Sequence, residues 1–212
     1  MATSLAVLEV ERKFIYSSDV EDMLQTLGAT LQGRLLFRDT YYDTVDLHLT
    51  LNDHWLRDRQ GSWELKLPFS LHGGDKSSNP VTQYQELTRE KEIIAAVGEV
   101  LGCTPLSEGM EALVAELRLQ AFASYVTDRK SYEVPREGLH VDLDEADFGF
   151  AVGEVEKVVS TAEEVPEALE RINHFCSQLG VTSVKKVPGK MTTYLHQYRP
   201  EHYQKLKEAH VL

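Results

Sequence analysis

Short runs of alternating apolar and polar residues dominate the chain, and a period of two predicts strands with one buried and one polar face. Val7–Phe14 sets the pattern. Leu8, Val10 and Phe14 fall on one face, and Glu9, Glu11 and Lys13 on the other. Similar runs at 34–43, 54–59, 62–68, 82–88, 120–134, 139–145, 150–159 and 189–196 are read as strands. Between them, apolar residues at helical spacing predict helices over 18–27, 90–101, 110–119 and 163–179, with a short tail helix after Pro200. Ser18 and Glu21 have the spacing of a capping box, and Gly28 ends that helix. Pro166 opens the clearest helix and Gly180 closes it; its stripe runs through Leu169, Ile172, Phe175 and Leu179, with Cys176 as a small core residue. The stretch 70–80, rich in Gly, Ser and Asn, reads as a loop, and Lys185 with Lys186 as an exposed pair.

The polar faces carry charge in pairs. Trp55, Arg57 and Arg59 share one face; Glu64 and Lys66, Asp142 and Asp144, and Glu154 and Glu156 each share another. A single pair of this kind is an ordinary solvated surface, whereas the repetition predicts charged rows converging on one site. About eight antiparallel strands, apolar on one face and charged on the other, predict an α+β fold. It is read as a closed antiparallel β-barrel forming a polar tunnel, with helices packed on the outside. A two-sheet sandwich would instead bury the charges, at a desolvation cost they cannot recover.

With 212 residues, 42% of them hydrophobic and 26% charged, the chain fits a single domain over 1–212, a barrel core at 5–198 and a helical tail at 199–212. A net charge of −12 argues against a nucleic-acid or anionic-membrane surface. Two cysteines make neither a disulfide framework nor a zinc motif. No apolar run is long enough to span a bilayer, and no basic-then-apolar leader opens the sequence. The expectation is a soluble cytoplasmic protein, taken as a monomer.

Glu9, Glu11, Asp142, Glu154 and Glu156 supply hard oxygen ligands in excess, and carboxylates set close together repel unless a cation or proton intervenes. Magnesium suits such a set, with manganese next; no His or Cys stands at metal-binding spacing beside these pairs, which disfavours zinc. Lys13, Arg57, Arg59, Lys66, Arg129 and Lys190, each on a strand candidate, form the complementary cradle for a polyphosphate. Metal-bearing acids facing bases are the layout that phosphoryl transfer needs.

Glu9-x-Glu11-x-Lys13, Arg57-x-Arg59, Glu64-Leu-Lys66, the Asp142 strand and Glu154-Val-Glu156 together resemble the triphosphate tunnel metalloenzymes, the CYTH superfamily, over nearly the whole chain. Phe37–Thr44, Asp53–Arg57, Trp63–Lys66 and Asp147–Glu156 resemble its animal thiamine triphosphatases in particular. The resemblance implies a barrel forming a tunnel, magnesium dependence, and hydrolysis of thiamine triphosphate to thiamine diphosphate and phosphate. By position it places metal binding on Glu9, Glu11, Asp142, Glu154 and Glu156, and phosphate binding on Lys13, Arg57, Arg59, Lys66, Arg129 and Lys190. Asp58, between the two arginines, points away by alternation.

Trp55, one strand step (about 7 Å) before the arginines, is the candidate to select a cationic thiazolium, an attraction of roughly 0.5 to 2 kcal/mol. Trp63, on the opposite face from Glu64 and Lys66, reads as core. The expected reaction is attack of a metal-held water on the terminal phosphorus, with Lys13, Lys66, Glu9 and Glu11 as the catalytic set and Lys13 or Lys66 accepting the proton; Glu154 also contacts substrate. Alternatives are an inorganic triphosphatase, a cyclase-like enzyme acting on nucleoside triphosphates, or a binding module that holds polyphosphate without turnover.

Overall fold

The structure is a computed structural model that describes residues 7–15, 17, 19–68, 81–181 and 187–212. The strands are β1 (Val7–Phe14), β2 (Thr30–Asp43), β3 (Trp55–Arg59), β4 (Ser62–Pro68), β5 (Val81–Leu87), β6 (Gln120–Val134), β7 (Leu139–Ala146) and β8 (Phe150–Val159). Hydrogen bonding links them in the closed order β1-β5-β4-β3-β2-β6-β7-β8, an eight-stranded antiparallel barrel. The helices among the described residues are α1 (Val20–Thr26), α2 (His48–Leu51), α3 (Glu90–Leu101), α4 (Met110–Glu116), α5 (Val165–Gln178), α6 (Lys190–Tyr198) and α7 (Pro200–Glu208). None is long and apolar enough to cross a membrane. Ser18, the 70–80 loop and the Lys185–Lys186 pair lie outside the described residues.

The chain divides into two compact units. The first comprises Met1–Leu36, Phe69–Gln85 and Thr127–Lys190. Its core forms where the apolar faces of β1, β7 and β8 meet α5: Leu8, Val10, Phe14, Val141, Leu143, Val155, Ile172, Phe175 and Cys176 are all buried there. The expected stripe of α5 is thus the surface that packs. Glu164 accepts the Ser160 and Thr161 N–H groups at 2.8 and 3.1 Å, capping the turn that leads into that helix. One glycine is required by this packing. Phe14 stands opposite Gly153 across the β1–β8 ladder, and a Cβ on Gly153 would come within 2.1 Å of the ring.

The second unit comprises Phe37–Pro68, Glu86–Val126 and Met191–Leu212. Here Leu56 of β3 and Leu65 of β4 bury against Ile93, Val97, Met110 and Leu113 of α3 and α4, while Tyr42 and Trp63 lie at the edge of this cluster with rings 5.1 Å apart. Trp63 therefore packs as the sequence indicates. Asp58 accepts the Gly61 N–H at 2.7 Å, closing the β3–β4 turn on the side away from the arginines. Asp43 organises α2, accepting the Leu49 and Thr50 N–H groups at 2.8 and 2.9 Å and the Thr50 hydroxyl at 2.6 Å. Because that hydroxyl proton goes to the carboxylate, the 2.9 Å contact between Thr50 Oγ1 and His202 Nε2 needs the imidazole as donor. His202 of α7 is buried, and its Nδ1 has no hydrogen-bond partner among the described residues.

One element departs from the sequence reading. Residues 189–196 form no strand: α6 begins at Lys190. Thr192 and Thr193 give the segment β-propensity, but its packing has helical period: Leu195 is buried, and Tyr194 and Tyr198, four apart, bring their rings to 4.9 Å. Tertiary contacts override a weak local preference here.

Two outcomes follow from this packing. Gly153→Ala should lower stability by roughly 2–3 kcal/mol, because neither backbone nor ring can yield; urea unfolding of the variant measures it. Burial lowers the His202 pKa from its ordinary 6.5 to about 4, with Arg199 and Lys205 adding repulsion and Asp43 opposing. The imidazole is neutral when folded, so stability should be full above pH 6.5 and fall as the pH drops toward 4, by roughly 3 kcal/mol at most. His202→Gln should flatten that part of the unfolding-versus-pH curve.

Candidate active site

In the first unit, strand register converts sequence alternation into rows of charge. Glu133, His140, Glu156 and Glu11 stand opposite one another across β6, β7, β8 and β1. The next row holds Ser131, Asp142, Glu154 and Lys13, and the one after it Arg129 opposite Asp144. Cross-strand neighbours of this kind have Cβ atoms about 5 Å apart, so acids and bases two residues along a strand become direct partners across it.

Arg129 grips Asp144 with two hydrogen bonds of 2.6 Å, pairs with Asp142, and reaches Glu154 at 3.7 Å. Burial works against its charge, but the hydrogen bond and charge of Asp144, then the charges of Asp142 and Glu154, outweigh this and hold it protonated. Lys190, from the first turn of α6, pairs with the same Asp144 and lies 3.8 Å from Glu154. Lys13 pairs with Glu11 and lies 3.6 Å from Glu154. A Cβ at Gly189 would sit 3.1 Å from Lys13 Cε, so the chain passes this lysine where a side chain would crowd it. The structure brings the expected bases Lys13, Arg129 and Lys190 together with the expected acids. Asp144, fully buried, is the anchor of two cations.

Oxygen atoms of Glu9, Glu11 and Glu156 all lie within 4.8 Å of one another. Burial, with the charges of Glu9 and Asp142, raises Glu156 well above the usual carboxylate range. A carboxylate held so high among other carboxylates is answered by a proton or by a cation, and an all-oxygen set of this charge fits a hard divalent ion. His140 corrects the expectation that no histidine accompanies these acids. Its Nε2 is 3.0 Å from Asp142 Oδ1 and its Nδ1 3.1 Å from Glu133 Oε1. The hydrogen bond to Asp142 outweighs burial and raises the imidazole pKa. For Asp142, burial acts upward, but His140, Arg129 and Ser131 together hold its carboxyl below the ordinary value. The signal for His140 was present in the sequence as the same-face neighbour two residues before Asp142.

The second unit holds the other expected bases. Asp39, fully buried on β2, accepts two hydrogen bonds from Arg59 at 2.7 and 2.9 Å and has the Arg57 Nε at 3.8 Å. Arg57 also pairs with Glu64 at 2.6 Å; burial opposes its charge, but Tyr41, Glu64 and Asp39 prevail and keep it protonated. The Arg59 guanidinium stacks 3.8 Å over the Phe37 ring. Lys66 pairs with Glu86 at 2.6 Å. Trp55 is buried, 9% exposed, and its indole N–H donates to Asp53 at 2.9 Å, which fixes the ring. Tyr41 stacks on Tyr125 with centroids 6.0 Å apart. Sequence reasoning missed Asp39 as the holder of both arginines, although it occupies the same face as Phe37 and Tyr41.

Comparison with known proteins gives the same direction. Residues 8–189 match the CYTH domain. The chain is 46% identical to the human protein named Thiamine-triphosphatase over 96% of this chain and 90% of that one. It is also 46% identical to the protein of that name from Macaca fascicularis, over the same shares. Among solved structures, the PH1819 protein from Pyrococcus horikoshii OT3 is similar in fold, with a TM-score of 0.57 at 19% identity, covering 89% of this chain and 98% of that one.

Removing Asp144 should test the ion-pair anchor. Asp144→Asn leaves Arg129 and Lys190 short of a buried counter-charge and should cost about 3 kcal/mol in urea unfolding. Arg129→Met in the same background should return part of the loss.

Proposed function

This chain belongs to the CYTH domain family, and on that footing we propose that it hydrolyses thiamine triphosphate to thiamine diphosphate and phosphate in a magnesium-dependent reaction. The observation that carries the reading is the Glu9–Glu11–Glu156 cluster on the sheet face that also bears Lys13 and Arg129, with Lys190 of α6 paired to Asp144 beside Arg129. It occurs in a chain 46% identical to a thiamine triphosphatase. A polyphosphate binder without turnover would need the bases but not this concentration of carboxylates.

Glu9, Glu11 and Glu156 would hold the divalent ion, with Asp142 and Glu154 completing the acidic set; magnesium is the ion assigned, and manganese satisfies the same ligands. Bound there, such an ion acidifies a water molecule and neutralises phosphate oxygens. Lys13, Arg129 and Lys190 are assigned as N–H donors to phosphate, and Arg57, Arg59 and Lys66 are assigned as phosphate ligands by the resemblance. Their carboxylate partners hold the donors in place before substrate binds, which lowers the reorganisation needed in the transition state. Lys13 and Lys66, each against a glutamate, are the two proton acceptors to be distinguished. Trp55 is assigned to the thiazolium, whose positive charge its ring face attracts. The protein is assigned to the cytoplasm as a monomer.

Phosphate release from thiamine triphosphate, tripolyphosphate and ATP, measured side by side with magnesium, should favour the first by at least about tenfold, a difference of roughly 1.4 kcal/mol in transition-state binding. Equal rates on all three would overturn the substrate assignment, and tight binding without phosphate release would overturn the enzyme. Glu9→Gln should lower turnover by about hundredfold or more while the melting curve is retained. Lys13→Arg and Lys66→Arg keep the charge and should separate the proton acceptor from the phosphate ligand by which variant loses the acid limb of the pH–rate profile.

A further inference from the structure

We propose that His140, Asp142 and Glu156 form a second cation position, one that takes a borderline transition ion such as Zn2+ or Co2+. It lies beside the all-carboxylate position at Glu9, Glu11 and Glu156. The inference goes beyond the hydrolase reading and does not rest on it.

Five observations carry it. His140 stands directly opposite Glu156 across the β7–β8 ladder, two residues from Asp142 on the same face of β7. One ligand atom from each of the three lies within 4.8 Å of the others. In a tetrahedral zinc site, bonds of about 2.1 Å place ligand atoms about 3.4 Å apart, so small side-chain rotations close the set. Nδ1 faces Glu133 Oε1 at 3.1 Å, while Nε2 hydrogen-bonds Asp142 Oδ1, 3.0 Å away, so a bound ion would take the place of the Nε2 proton, which leaves to solvent. A carboxylate on the far nitrogen of a ligating histidine fixes its tautomer and strengthens it as a donor.

The carboxylates are equally prepared. Asp142 gives one oxygen to Arg129, and Ser131 donates to its Oδ1 at 2.6 Å, which leaves Oδ1 as the single oxygen turned toward His140. An open groove of about 360 Å³, lined by Glu133, Leu139, His140, Glu156 and Lys157 among others, gives an ion a path from solvent to His140 and Glu156. The chemistry sets the selectivity. Magnesium takes oxygen ligands and holds its waters, whereas an imidazole nitrogen shifts preference toward the later first-row ions.

The alternative is that His140 only braces Asp142 by hydrogen bonding, and the two readings separate in metal-alone titrations. Chelator-treated protein is titrated calorimetrically with Zn2+ and with Mg2+, and followed by visible absorption with Co2+. The wild-type protein should bind Zn2+, and its Co2+ form should show d–d bands with a hyperfine-shifted, solvent-exchangeable imidazole N–H proton resonance. His140→Gln should weaken Zn2+ binding by at least about thirtyfold, abolish that N–H signal and leave Mg2+ affinity unchanged. Glu133→Gln, at a side chain 48% exposed, should weaken Zn2+ about tenfold with Mg2+ again unchanged. Equal Zn2+ affinity in wild type and His140→Gln, or absence of the exchangeable imidazole signal in the wild-type Co2+ form, overturns the proposal. If His140→Gln fails to fold, the wild-type Co2+ spectrum and Glu133→Gln decide it.

Discussion

A charge withdrawn from water must be met by an opposite charge or a hydrogen bond within a few ångströms, and both units of this protein are organised around that requirement. In the first, Asp144 holds Arg129 and Lys190, and Glu154 lies within reach of Lys13, Arg129 and Lys190. In the second, Asp39 holds Arg59 and stands against Arg57. These anchors are the most deeply buried acids of their clusters. The bases they hold are more open, with side chains 10 to 24% exposed, so the donors remain available to a ligand while their orientation is already fixed.

The acids divide into two kinds on the same physical ground. Asp144 and Asp39 sit against guanidinium groups and have their charge answered by protein. Glu9, Glu11 and Glu156 crowd one another, and burial drives Glu156 toward its protonated form. A protein that keeps such a group tolerates a local cost that folding alone would remove, which supports the cation site proposed there.

Much of this was legible because a strand has a period of two. Glu9, Glu11 and Lys13 fall on one face whatever else the chain does, and so do Arg57 with Arg59 and Glu154 with Glu156. What alternation does not reveal is register. Asp142 and Asp144 look alike in sequence, yet register sets one opposite Ser131 and Glu154 and the other opposite Arg129. Asp39 was hidden for the same reason, since its partners lie on the neighbouring strand. His140 was visible but overlooked, because spacing rules for metal histidines describe helices and loops better than ladders. Lys190 lies beside Asp144 and Glu154 from a helix where the sequence reads as a strand; Tyr194 of α6 packs on Tyr125, far along the chain, a contact no local pattern encodes.

The hydrogen bond between Thr50 and His202 ties a C-terminal helix to the backbone amides that Asp43 organises. Detachment of α7 would uncover an imidazole, a hydroxyl and the edge of Phe122 at once, so loosening there is concerted rather than gradual fraying. The Leu49 and Thr50 amides, hydrogen-bonded to Asp43, would then act as distant reporters of whether α7 is seated.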